Sequence, residues 1–117
     1  MIAIYIKATD EISYAIIGED TLHGMQELVG GYIEIVHPIY LRRPYVMIVN
    51  EEGLLRDLPI NNTGSLFYGG PIVGNVLILK EGLNEDGEPD LLSLDDGEAH
   101  ELMDELLSRF PYLEVPA

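Results

Sequence analysis

Ile2, Ile4 and Ile6 alternate with Ala3, Tyr5 and Lys7, and Ile12, Tyr14 and Ile16 resume the same period after the polar stretch Ala8-Thr9-Asp10-Glu11. A period of two puts alternate side chains on one face of a strand, so these residues predict an N-terminal β-hairpin. The period then changes. Leu22, Met25, Leu28 and Val29 fall at helical spacing behind an N-cap in Glu19-Asp20-Thr21. Gly30-Gly31 ends that helix, because glycine takes the left-handed cap conformation at little cost. Residues 32–37 return to a strand pattern, and Pro38 and Pro44 bracket a loop.

Residues 45–49 predict another strand, Asn50-Glu51-Glu52-Gly53 a turn, and residues 54–58 a further short strand. Residues 59–71 are rich in Asn and Gly and read as a loop. Residues 72–80 are almost continuously apolar, which predicts a central strand. An acidic connector over residues 81–90 leads to the clearest helical stripe in the chain: Ala99, Leu102, Met103, Leu106, Leu107 and Phe110. Ser93 or Asp95 would cap this helix, Asp95, Asp96 and Glu98 suit its positive end, and Pro111 stops it.

The order predicts one α+β domain over residues 1–117, with one antiparallel or mixed sheet of about five to six strands and two helices packed against it. The expected core holds Ile4, Ile6, Ile33, Ile35, Val46, Ile48, Val76, Ile78, Leu102, Leu106 and Phe110.

Composition narrows the functional classes. At 117 residues and 47% hydrophobic content the chain is long and apolar enough for one core. It has no cysteine, which excludes disulfides, thiolate chemistry and cysteine-based zinc sites. The opening residues lack a charged region and a cleavage site, and no apolar run approaches the roughly 20 residues of a membrane span. These features lead to the expectation of a cytoplasmic protein.

The charge is lopsided. Residues 1–80 hold nine acids and five bases, whereas residues 81–117 hold twelve acids and one base, Arg109, within a net charge of −15. Such a field repels nucleic acid and anionic membranes and attracts basic surfaces. The acids of the C-terminal third, Glu85, Asp86, Glu88, Asp90, Glu98, Glu101, Asp104 and Glu105, are the candidate partner-binding face, with solubility as the competing explanation.

Motifs for catalysis are weak. His100 and Asp104 stand at i and i+4 in a His-Glu-x-x-Asp string, but no third ligand is specified, so no metal site is expected. Asn84-Glu85-Asp86-Gly87-Glu88-Pro89-Asp90 places oxygens at alternate positions, yet glycine is absent from the sixth position and glutamate from the twelfth of a calcium loop begun at Asn84. Serines 13, 65, 93 and 108 lie in no nucleophile elbow, and Gly69-Gly70-Pro71-Ile72-Val73-Gly74 lacks the phosphate-binding lysine. No catalytic residue and no cofactor are expected. Arg42, Arg43 and Arg56, with Tyr40, Tyr45 and Tyr68, form an alternative ligand set that would hold an anion or nucleotide by charge and stacking, if the arginines do not simply pair with surplus carboxylates.

The middle of the chain is more specific. Leu28-Val29-Gly30-Gly31-Tyr32-Ile33-Glu34 is followed by Asn50-Glu51-Glu52-Gly53, Leu58-Pro59-Ile60-Asn61 and Ile72-Val73-Gly74-Asn75. This succession resembles the domain-of-unknown-function family 3846, small acidic proteins carried by bacteriophages, plasmids and conjugative elements. The resemblance spans roughly residues 1–110 and departs from the family at the basic Pro38 to Pro44 loop and at Asn75. It implies a mobile-element accessory protein and carries over no catalytic residue. The glycines and asparagines of these motifs also suit turns, caps and close packing, so they are expected to be mostly fold determinants.

The expected function is therefore non-catalytic. The acidic surface would bind a basic host protein, in the manner of a nucleic-acid mimic or counter-defence inhibitor, with no direct nucleic acid or membrane contact. The alternative is a sponge for a nucleotide signal, built from the Arg/Tyr set near an oligomer interface.

Overall fold

A computed structural model describes residues 1–116; the expected domain also included Ala117, which lies outside the described residues. The alternating N-terminus forms β1 (Ile2–Ile6) and β2 (Ile12–Ile16), followed by α1 (Thr21–Val29), β3 (Ile33–Val36) and β4 (Tyr45–Asn50). Then come α2 (Asn62–Tyr68), β5 (Val76–Leu83), β6 (Pro89–Leu92) and α3 (Asp96–Arg109). The six strands make one sheet in the order β2-β1-β5-β4-β3, with β6 also on β5. Every strand pair is antiparallel, so among the described residues the fold is α+β with an antiparallel sheet and three helices.

The near-continuous apolar run explains the place of β5. It has β1 and β4 on its two sides, with Ile78 opposite both Ile4 and Met47. Its second half reaches beyond β1 and pairs with β6 through an acidic hairpin. A strand buried on both faces needs apolar residues at successive positions, and Val76, Leu77, Ile78 and Leu79 are all buried.

Alternation divides the core into two layers. Ile4, Ile6, Met47, Val49, Val76 and Ile78 point toward α3 and pack with Leu102, Leu106, Phe110 and Phe67. Ala3, Val46, Ile48, Leu77 and Leu79 point the other way and pack with Met25 and Val29 of α1. The helices therefore cover opposite faces of the sheet. No helix among the described residues is long and apolar enough to cross a membrane.

Several expectations need correction. The loop expected over residues 59–71 contains α2, which makes three helices and not two. Asn61 caps it by accepting a hydrogen bond from the Gly64 amide, Gly69 closes it in the left-handed conformation, and Thr63 and Phe67 bury one face of its two turns. The strand expected over residues 54–58 is a series of turns, because Asp57 has a positive φ of 56° that breaks an extended run. Its Leu54 and Leu55 are 70% and 89% exposed. Ile33 is only half-buried, at the margin of the layer that holds Met25 and Val29, and Ile35 is 39% exposed, since β3 is an edge strand that a nine-residue α1 covers only in part. The other nine expected core residues are buried.

Candidate functional site

The distinctive middle motifs meet at one end of the sheet, and their polar groups are occupied there. Asn61, fully buried, donates to the carbonyls of Ile6 and Gly74 at 3.0 Å each while capping α2. Asn50 donates to the Val29 carbonyl at 3.1 Å and accepts from the Glu52 amide at 2.8 Å. Asn75 accepts from the Ala8 amide and donates to the Tyr5 hydroxyl, which in turn donates to the Leu28 carbonyl at 2.7 Å. Buried polar groups cost free energy unless paired, and these asparagines tie the ends of β1 and α1 to the loops around them.

The two glycines after α1 fit the same arrangement. Gly30 has φ +82°, and a Cβ on Gly31 would lie 3.0 Å from both Arg56 Nη1 and Asn50 Nδ2. Arg56 is held here, donating to the Gly30 carbonyl at 2.8 Å. A shallow cleft of about 310 Å³ opens beside Tyr5, Glu27, Arg56 and Asn75.

The acidic candidates occupy a different region. Leu102, Met103, Leu106 and Phe110 fix the inner side of α3, which leaves Glu101 and Asp104 exposed. Glu98 and Glu105 are drawn into internal pairs. Glu98 sits 2.6 Å from the Lys80 ammonium and completes a capping box with Asp95. Glu105 sits 2.7 Å from Arg42 and 3.9 Å from Arg109. Glu85, Asp86, Glu88 and Asp90 are all exposed around the β5–β6 turn, which Asn84 shapes by accepting from the amides of Asp86 and Glu88.

Titrating groups around α3 shift for local reasons. Burial and then Asp104 push the Tyr14 phenol up, and burial and then Glu98 do the same to Tyr45 against the opposing Arg42. The hydrogen bond to Glu98 raises Lys80, and the Glu98 amide holds the Asp95 carboxyl down.

The structure scatters the alternative Arg/Tyr set. Arg42 lies over the Tyr45 ring at 5.2 Å, at the start of β4. Arg56 lies past the other end of β4, roughly 17 Å along a six-residue strand. Arg43 lines a separate hollow with His37 and Glu81. Tyr40 lies by Gly69, and Tyr68 ends α2. His100 meets the Tyr14 ring edge-on at 5.8 Å. Among the described residues no three His, Asp or Glu side chains converge on one point.

An apolar cleft of about 510 Å³ lies between the α3-facing side of β3 and β4, the end of α2 and the turns after β4. Its sequence signal is the pair Leu54 and Leu55, which the strand expected over residues 54–58 would place in the sheet and which are instead exposed in the cleft wall.

The family described as domain of unknown function (DUF3846) matches residues 1–107. Comparison with curated proteins gives no match. A solved structure, described as the crystal structure of small RNA methyltransferase HEN1, is similar with a TM-score of 0.57 at 14% sequence identity, over 88% of this chain. This chain spans 16% of that one, and the likeness is one of fold.

Proposed function

We propose that this chain, which belongs to the domain-of-unknown-function family 3846, is a non-catalytic binding protein whose acidic surface docks a basic surface on a host macromolecule. Its setting would be the host cytoplasm, as an accessory of a phage or other mobile element, and a nucleic-acid mimic is one form of it. The observation that carries this reading is the outward set Glu101 and Asp104 on α3 with Glu85, Asp86, Glu88 and Asp90 on the hairpin. The nearby bases Lys80, Arg42 and Arg109 are engaged by Glu98 and Glu105 instead. Solvated carboxylates in such numbers steer a cationic partner and speed its approach. Supporting the non-catalytic part, the histidines sit on separate elements, with His23 against Glu27, His37 against Glu81 and His100 against Tyr14.

The test is a pull-down from bacterial lysate at low and high salt, with wild-type protein beside a variant in which those six carboxylates are amides. A partner held by the wild type, and lost both at high salt and by the variant, is the expected outcome. A partner insensitive to both changes assigns the charge to solubility.

A further inference from the structure

We propose that the open edge of β3, with the apolar cleft beside it, is a docking site for an extended peptide segment bearing basic and apolar side chains, which joins the sheet as an added strand. This site goes beyond the acidic α3 and hairpin surface, because other elements form it. β3 ends the strand order and pairs only with β4.

The hydrogen-bond register identifies the free groups. Glu51 N donates to Tyr32 O at 2.9 Å, so Tyr32 and Glu51 form a hydrogen-bonded pair. Such pairs alternate along an antiparallel ladder. Glu34 with Val49 and Val36 with Met47 continue the series, and Ile33 and Ile35 direct their amides and carbonyls outward. β3 contains neither lysine nor proline, two residues that commonly blunt an edge. The opposite edge of the sheet is treated differently. There Ile12 N donates to Glu114 O, and Glu114 N donates to Asp10 O, so the chain itself covers the start of β2.

The cleft sets the chemistry of the added strand. Glu34, Val36, Glu51, Leu54, Leu55 and Tyr68 line it, with no cation in its wall. An incoming strand gains backbone hydrogen bonds at Ile33 and Ile35 and takes its specificity from alternate side chains. An apolar side chain suits Leu54, Leu55 and Tyr68, and a lysine or arginine suits Glu34 and Glu51. A second copy of this chain fits poorly, since β3 against β3 would bring two Glu34/Glu51 sets together between molecules of net charge −15.

The probe is a fluorescein-labelled peptide in which lysine and valine alternate along one face of the strand with serine between them, and the same peptide with glutamate in place of lysine is the control. Binding is read by anisotropy, and amide hydrogen exchange is read by NMR. The expected result is saturable binding of the lysine peptide, with new protection at Ile33 and Ile35. Glu34→Lys with Glu51→Lys should weaken it about tenfold or more and favour the glutamate peptide. Leu55→Ser, at an exposed position, should weaken it without unfolding the protein. Glu101→Gln with Asp104→Asn should leave the protection pattern unchanged, so failure here is distinct from failure of the acidic-surface reading. The proposal is overturned by equal binding of both peptides, by no saturable binding, by protection confined to α3 or the hairpin, or by a β3-mediated dimer in sedimentation.

Discussion

The face of the sheet under α3 and the face under α1 differ in how their helices are held. α3 runs for fourteen residues, has a capping box at its start and a basic Arg109 in its last turn, and meets Phe67 of α2 through Phe110. α1 runs for nine residues, has a single side-chain cap from Asp20, and buries only Met25 and Val29. The first face is thick and closed over β1 and β5. The second thins toward β3, where Ile35 is 39% exposed. The difference teaches that the two faces of one sheet can be covered to different depths, and that β3, at the margin of both layers, is left open.

The largest expected effect comes from cavities. Leu106→Ala, at a fully buried position in the thick layer, should cost about 2–5 kcal/mol in urea unfolding. Met25→Ala in the thin layer should fall at the low end of the same range, because a layer one short helix deep can relax into the gap. A reversed order would break the comparison.

Next is Asn61→Ala, which removes a cap and leaves the buried carbonyls of Ile6 and Gly74 and the Gly64 amide without their partner. A loss of about 1–3 kcal/mol is expected. A near-neutral result would show that the motif end of the sheet is not held by this side chain.

A smaller effect, dependent on pH, should appear at the start of α3. The Asp95 carboxyl is held down in the fold, so its contribution is full above the unfolded value of about 4 and is lost as pH falls through the lower folded value. Lys80 is raised, so its contribution is full below about 10.4 and is lost as pH rises through the higher folded value. Melting temperatures should fall at both extremes. Asp95→Asn should shrink the acid limb, and Lys80→Met the alkaline limb. Unchanged limbs would remove these contacts from the account of why α3 is firmly held.

The smallest effect is Glu101→Gln with Asp104→Asn, which should change stability by no more than about 0.5 kcal/mol, since both side chains are solvated. A larger change in either direction would mean that the outer side of α3 takes part in the fold.

Where one local pattern decided the element, the chain was legible by itself. The stripe from Ala99 to Phe110 specified α3, its inner face and therefore its acidic outer face, because helical geometry leaves Glu101 and Asp104 nowhere else to point. The alternation of β1 and β2 likewise placed the hairpin, and the near-continuous apolar run of residues 72–80 placed the central strand, although β5 starts at Val76 and continues to Leu83 into the expected connector. Tertiary structure decided α2, whose two turns depend on burying Thr63 and Phe67 and on Asn61 reaching the Ile6 and Gly74 carbonyls. It also decided that residues 54–58 leave the sheet, that Ile35 lies at an edge, and that Arg42 and Arg56 stand apart. The physical reason is range: periodicity reports which side of an element is apolar, whereas a cleft, an open edge or a cluster of arginines depends on which distant segments come to lie beside it.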